Sequence, residues 1–98
     1  AAESRALRRP SGAPGNWAIQ VGAFASQAQA MVELNRARDR AGQELAVGRA
    51  AIGAAPQARG LLYRARMAGL SRETAMAACE KISRGRMQCI VLSPEAQS

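Results

Sequence analysis

The apolar and polar positions of the chain alternate in several places, and each alternation predicts a β-strand. The first strand is predicted over WAIQVGAF, where three apolar residues are expected to face the core: Trp17, Ile19 and Val21. The residues between them are expected to face the other side of the sheet: Ala18, Gln20 and Gly22. LLYRARM (61–67) alternates in the same way, and MQCIVL (87–92) is predicted as the last strand. Residues 46–55 are interpreted as a weak edge strand.

Two amphipathic helices are predicted between these strands. Ser26 is expected to cap the first, with Gln29 in the capping-box position, and Gly42 to end it. Ser71 is expected to cap the second, which ends at Gly85. Apolar residues recur three and four positions apart in both helices: Ala30, Met31, Leu34, Ala37 and Ala41 in the first, Ala75, Ala78, Cys79 and Ile82 in the second. Arg38 interrupts the stripe of the first helix.

The order of these elements is βαββαβ, which predicts an α+β domain. We expect a four-stranded antiparallel sheet with two helices on one face, a ferredoxin-like or RNP-like arrangement. The domain is predicted over residues 16–93. Residues 1–15 contain Pro, Gly and Arg without an apolar period and are predicted to be a flexible linker, and residues 94–98 a disordered tail. The uncovered face of the sheet is the predicted binding surface.

The composition excludes several classes of function. Alanine contributes 23 residues of the 98, so the core is expected to be thin. Histidine is absent, which excludes a His-based catalytic triad and a zinc site with His ligands. No motif pairs acidic residues either, so we predict a non-enzymatic domain without a metal or cofactor. No apolar run approaches the roughly 20 residues that span a bilayer, so no membrane insertion by this segment is expected.

The net charge of +7 predicts an anionic or polar polymeric partner, such as nucleic acid, a membrane surface or an envelope polysaccharide. Single-stranded nucleic-acid binding is the alternative hypothesis, because RNA-recognition motifs use the same topology and the same uncovered face. Such domains stack bases on aromatic residues of the central strands. Here Trp17 and Tyr63 fall on the side of their strands that is predicted to be buried, so a nucleic-acid partner is not favoured.

The two cysteines, Cys79 and Cys89, leave two interpretations open. An even pair in a small basic domain fits a disulfide in an oxidising compartment. Two unpaired, buried thiols in a reducing compartment fit the residues equally well.

A longer pattern resembles a known family. The opening Trp17-Ala-Ile-Gln20-Val-Gly22-Ala-Phe24, followed by a helix and then by Leu62-Tyr-Arg-Ala-Arg66, is similar to the SPOR domain, the sporulation-related repeat. Cys89-Ile90-Val91 also looks like that family, and the resemblance covers residues 16–93. It implies a non-catalytic module that binds peptidoglycan glycan strands, with a preference for strands stripped of their stem peptides, which are enriched at division sites.

The resemblance also implies a location and a parent protein. We expect the periplasm or cell envelope, with this chain as part of a larger exported protein. It is similar to SPOR domains at the C-termini of D-alanyl-D-alanine carboxypeptidases. The implied compartment is oxidising, and the predicted positions of Cys79 and Cys89, on a helix and on the strand that follows it, allow their side chains to meet. A Cys79–Cys89 disulfide is therefore predicted.

In the SPOR family the glycan contacts lie on the uncovered face of the sheet. The candidates carried over by motif and strand position are Gln20, Ala23, Leu62, Arg64, Arg66 and Ile90. The amide and the guanidinium groups are suited to sugar hydroxyls and N-acetyl groups, while Leu and Ile pack against sugar rings. The alternative is that Arg64 and Arg66 only keep an exposed face soluble.

Overall fold

The computed structural model describes residues 13–97, which form one antiparallel sheet covered by helices on one face. The strands are β1 (Pro14–Phe24), β2 (Arg49–Gln57), β3 (Gly60–Leu70) and β4 (Ile90–Leu92). The helices are α1 (Gln27–Arg40), α2 (Gly42–Leu45) and α3 (Arg72–Arg84), followed by a 3₁₀ turn at Glu95–Gln97. The strand order is β2-β3-β1-β4, with antiparallel pairing throughout. The predicted α+β fold is confirmed.

Both long helices begin where their capping residues predict. The Ser26 hydroxyl accepts a hydrogen bond from the backbone N–H of Gln29 at 3.1 Å, and that of Ser71 accepts one from Thr74 at the same distance. These bonds satisfy donors that the first turn of a helix leaves free. In α1 the buried stripe is narrower than predicted, because Met31 lies on its exposed edge.

The short helix α2 was not predicted and ties the two longer helices together. It follows α1 after Ala41 and buries Leu45 in the core. Glu44 of this helix is also buried, and its carboxylate lies 2.7 Å from the ammonium group of Lys81 on α3. The pair holds α2 against α3, since a buried carboxylate without a partner would be strongly destabilising.

The core lies between the helices and one face of the sheet. It is thin, as expected from the alanine content: among the described residues, five large side chains are completely buried, namely Ile19, Leu34, Met67, Leu70 and Ile82. Ala30, Ala37, Ala75 and Ala78 bring the helices close to the strands. The face of the sheet that the helices leave uncovered is called the open face below.

The predicted Cys79–Cys89 disulfide is present. It joins α3 to the residue before β4, with 5.3 Å between the two Cα atoms. The strand itself is shorter than the predicted 87–92, because the chain turns after Gly85 through Arg86 at a φ of 63° and then buries Met87 in the core. The disulfide therefore anchors a strand of three residues.

At both ends, the described structure has ordered elements beyond the predicted bounds of residues 16–93. β1 begins at Pro14, two residues before the predicted domain boundary, and the Ala13 carbonyl accepts a hydrogen bond from the Ser71 N–H at 3.0 Å. Residues 1–12 of the predicted linker lie outside the described residues. At the other end, the predicted disordered tail contains the 3₁₀ turn, and the Gln97 side-chain amide donates to the Asn16 carbonyl at 3.0 Å.

Two nested deletions test this boundary. Removing residues 1–12 is expected to leave the melting temperature unchanged, because this segment has no apolar period that could contribute to a core. Removing residues 1–15 deletes the Ala13–Ser71 hydrogen bond and the pairing of Pro14 with Leu70, and should lower the free energy of unfolding by about 1–2 kcal/mol. Thermal and urea unfolding of both variants provide the measurement. Equal melting temperatures for the two deletions would contradict the boundary at Ala13.

Candidate functional site

An irregularity in β1 decides which of its residues share the open face. Gln20 pairs with Arg66, but Gly22 pairs with Ala65, so two steps along β1 match one step along β3. Val21 is the extra residue of a β-bulge. Val21 and Gly22 are both buried, which corrects the prediction that Gly22 faces away from the core. After the bulge, Ala23 pairs with Arg64 on the open face.

The geometry of Gly22 permits this bulge. Its φ is +145°, a conformation that residues with a Cβ rarely adopt. An added Cβ would lie 2.6 Å from Cζ of the Phe24 ring, so the ring occupies the space a side chain would need. Phe24 itself pairs with Tyr63, and both pack against the core.

The structure places the six predicted residues on the open face, in a central group and an outer position. Gln20 lies between Arg66 of β3 and Ile90 of β4, and Ala23 lies beside Arg64. Leu62 is further along β3, opposite Ala55 of β2, near the end of the sheet. Ala23, Arg64 and Ile90 are exposed, whereas Gln20, Leu62 and Arg66 are half-buried. Their role in binding stays a prediction.

One hydrogen bond organises the centre of this group. The Arg66 Nε–H donates to the Gln20 side-chain oxygen at 2.8 Å. The bond holds the guanidinium in place, and within residues 13–97 neither the Gln20 NH₂ group nor a terminal nitrogen of Arg66 makes a hydrogen bond to the protein. The apolar side chain of Ile90, 45% exposed, stands on the other side of Gln20. Hydrogen-bond donors and an apolar surface therefore lie side by side at the centre of the open face.

Small residues of β2 create a groove beside the arginines. Ala51 pairs with Arg66, and Gly53 pairs with Arg64. The groove has a volume of about 310 Å³ and is lined by Ala51, Ile52, Gly53, Ala54, Arg64 and Arg66. A Cβ added at Gly53 would meet no atom within 4 Å. Ala51 and Gly53 were not predicted as site residues. The feature of the sequence that could have indicated them is the absence of a large side chain at these two positions.

In the described part of the chain, no acidic residue on the strands balances their positive charge. Within residues 13–97 the strands carry three arginines, Arg49, Arg64 and Arg66, and no acidic residue. The acidic residues of the same range all lie on the helices or the 3₁₀ turn. Burial, and secondarily the charge of Arg64, lowers the pKa of Arg66 from its ordinary value, although the group stays protonated at neutral pH. The charge on the open face is therefore uncompensated.

Other chemistry receives no support from the described residues. The three aromatic residues of the sheet, Trp17, Phe24 and Tyr63, all pack against the core, so among residues 13–97 the open face has no aromatic platform for bases. The same residues contain no group of three His, Cys, Asp or Glu side chains arranged to hold a metal ion. None of the described helices is long and apolar enough to cross a membrane.

The chain is similar to proteins of one known family. The family model described as SPOR domain matches residues 13–93. The crystal structure of the RlpA SPOR domain from Pseudomonas aeruginosa is similar in fold, with a TM-score of 0.63 at 19% sequence identity. The similarity covers 80% of this chain and 99% of that one. No curated protein matches the chain.

Proposed function

The chain belongs to the SPOR domain family, and from that membership we propose that it holds a larger envelope protein on the glycan strands of peptidoglycan. SPOR domains are non-catalytic modules of cell-envelope proteins that bind peptidoglycan, so the chain has a cell-wall-binding role. The proposed ligand is the glycan strand itself, freed of its stem peptides. The proposed binding surface is the open face.

The observation that supports this surface is the row of Ile90, Gln20 and Arg66 across three adjacent strands. A glycan presents apolar ring faces beside hydroxyl and N-acetyl groups. Ile90 is suited to the ring faces, while Gln20 and Arg66 supply hydrogen-bond donors whose positions are set by their mutual bond. A sheet face that the helices leave uncovered gives a long polymer room to pass across it.

The wider setting is part of the same proposal. Strands without stem peptides accumulate at division sites, so the domain would bring its parent protein there. We propose the periplasm as the compartment and a wall peptidase, such as a D-alanyl-D-alanine carboxypeptidase, as the parent. Residues 1–15 are predicted to connect the two, although β1 takes Pro14 and Gly15 into the domain. Tethering raises the local concentration of an enzyme at its polymer substrate.

Salt dependence separates glycan binding from nucleic-acid binding, because a domain with uncompensated arginines attracts any polyanion at low ionic strength. Nucleic-acid binding that neutralises around six phosphates weakens by about 10³-fold between 50 and 200 mM salt. Glycan binding rests on hydrogen bonds and ring packing, with at most the charges of Arg64 and Arg66 added, and weakens far less. We expect the domain to sediment with purified sacculi at 200 mM salt, more strongly after an amidase has removed the stem peptides. Loss of sacculus binding over this range would contradict the glycan proposal.

Gln20→Ala tests the open face in the same assay. The change removes the free NH₂ group of Gln20 and releases Arg66 from its fixed position. Sacculus binding is expected to weaken by roughly 1–3 kcal/mol, the cost of losing hydrogen bonds to a polar ligand. The melting temperature should fall by only a few degrees, because Gln20 lies outside the core and contributes one part-buried hydrogen bond.

The matched control is Gln43→Ala, which removes an exposed glutamine from α2 on the helical layer. It should bind sacculi like the wild type. If Gln20→Ala also binds like the wild type, the open face is not the glycan surface.

A further inference from the structure

The surroundings of Arg64 and Arg66 contain hydrogen-bond donors and hardly any acceptors. Their cross-strand neighbours are Gln20 and Ala51 for Arg66, and Ala23 and Gly53 for Arg64. Of these only Gln20 has a polar side chain, and its oxygen already accepts from Arg66. A ligand group placed here therefore meets guanidinium and amide N–H groups. Such a site favours a group that is rich in acceptors and negatively charged.

A carboxylate matches these arginines better than a neutral hydroxyl group does. Each hydroxyl group is a donor as well as an acceptor, and the side-chain acceptor beside the arginines is the Gln20 oxygen, one of whose two lone pairs already accepts from Arg66. A carboxylate has only acceptors, and the planar fork of an arginine can bind both of its oxygens at once. The charge adds to this preference, since no acidic side chain on the strands of residues 13–97 neutralises Arg64 or Arg66.

The groove offers space for such a group. Because β2 presents Ala51 and Gly53 opposite the two arginines, a depression of about 310 Å³ lies along their side chains. This volume is at the small end of the range for ligand sites, about 300–1,000 Å³. It is suited to a short substituent of a polymer whose backbone runs over the open face.

We infer that Arg64 and Arg66, with the groove beside Ala51 and Gly53, form a subsite for the lactyl carboxylate of muramic acid. The inference rests on the proposed glycan function and adds the group that the domain distinguishes. In a peptide-bearing strand this carboxyl group is the acyl part of an amide and carries no charge. Hydrolysis of that amide leaves a carboxylate on the sugar and an amine on the departing peptide. The two arginines thus bind the carboxylate that removal of the peptide leaves on the sugar.

Stem peptides also carry carboxylates, and the experiment must separate the two sources. Three ligands of equal length serve: glycan strands without peptides, the same strands with their lactyl carboxylates converted to methyl amides, and strands that keep their peptides. Strands with free lactyl carboxylates should bind at least tenfold more tightly than the methyl-amide strands. Equal affinity for free-carboxylate and peptide-bearing strands would assign the subsite to peptide carboxylates and overturn the inference.

Arg64→Gln supplies the second part of the test. It keeps hydrogen-bonding capacity but removes the charge and the fork, and it should abolish the discrimination between free-carboxylate and methyl-amide strands. Arg36→Gln removes the same charge from the exposed surface of α1 and should keep the discrimination. Melting temperatures of both variants check that the fold is intact.

The outcomes distinguish this inference from the function on which it rests. If wild-type protein binds free-carboxylate and methyl-amide strands equally well, the carboxylate subsite is wrong while glycan binding stands. If it binds neither, both fail. Retained discrimination in Arg64→Gln would also overturn the assignment of the subsite.

Discussion

Replacing Cys79 and Cys89 together by alanine should lower the free energy of unfolding by about 3 kcal/mol. The disulfide closes a loop with a sequence separation of 10 between the cysteines, and a cross-link of this size restricts the unfolded chain. For a domain of this length the loss corresponds to a fall in melting temperature of roughly 15 °C. Sacculus binding should fall as well, because Ile90 directly follows Cys89 and β4 has only three residues. Thermal unfolding and sedimentation with sacculi provide the two measurements.

Reduction of the wild type is the matched comparison. A reductant should bring the melting temperature of the wild type close to that of the double variant and leave the variant itself unchanged. Alkylation without reductant, followed by intact-mass measurement, verifies that the wild-type thiols are paired. A double variant that melts within a few degrees of the oxidised wild type would show that the disulfide contributes little to the fold.

Gly22→Ala should lower the free energy of unfolding by about 1–3 kcal/mol, the cost of holding a residue with a Cβ in a backbone conformation that only glycine adopts easily. The new methyl group would also meet the Phe24 ring at 2.6 Å unless the ring moves. Since Phe24 packs against the core, movement of the ring disturbs the packing next to the bulge. Urea unfolding measures the loss.

Gly53→Ala is the control, because it is the same substitution in another strand of the same sheet. Gly53 has no positive φ, and its new Cβ would meet no atom within 4 Å. The substitution should be neutral or stabilising by about 0.4–1 kcal/mol, because alanine restricts the unfolded chain. Equal effects of the two substitutions would contradict a bulge that requires glycine.

The elements that depend on neighbouring residues could be predicted well. Ser26 and Ser71 cap their helices because their hydroxyl groups need only a backbone N–H three residues ahead. The stripe of Ala75, Ala78, Cys79 and Ile82 is buried as predicted, since residues three and four apart share one side of a helix. The alternation of Tyr63 to Met67 likewise reports the two sides of β3, with Ala65 and Met67 buried.

The features that depend on a distant strand could not be predicted in the same way. The alternation of apolar and polar residues depends on one strand alone. An extra residue such as Val21 is therefore recognised only when β1 is compared with its partner strand β3. The small residues of β2 have little preference for a strand conformation of their own. The strand nevertheless runs from Arg49 to Gln57, because each of its residues pairs with β3 without a register shift. Helix α2 owes its place to the burial of Leu45 and to the contact of the buried Glu44 carboxylate with Lys81 of α3.

The sequence by itself determined the order of the strands and the two long helices, the family, the cysteine pair and the strands that carry the candidate residues. Only the tertiary structure showed the bulge that brings Ala23 to the face of Gln20, the hydrogen bond from Arg66 to the oxygen of Gln20, 46 residues away, and the groove that Ala51 and Gly53 leave beside the arginines. The physical reason is the distance along the chain over which each kind of interaction acts. Capping and periodicity are interactions within one element, whereas register, cross-strand hydrogen bonds and grooves exist only between strands that folding has brought together.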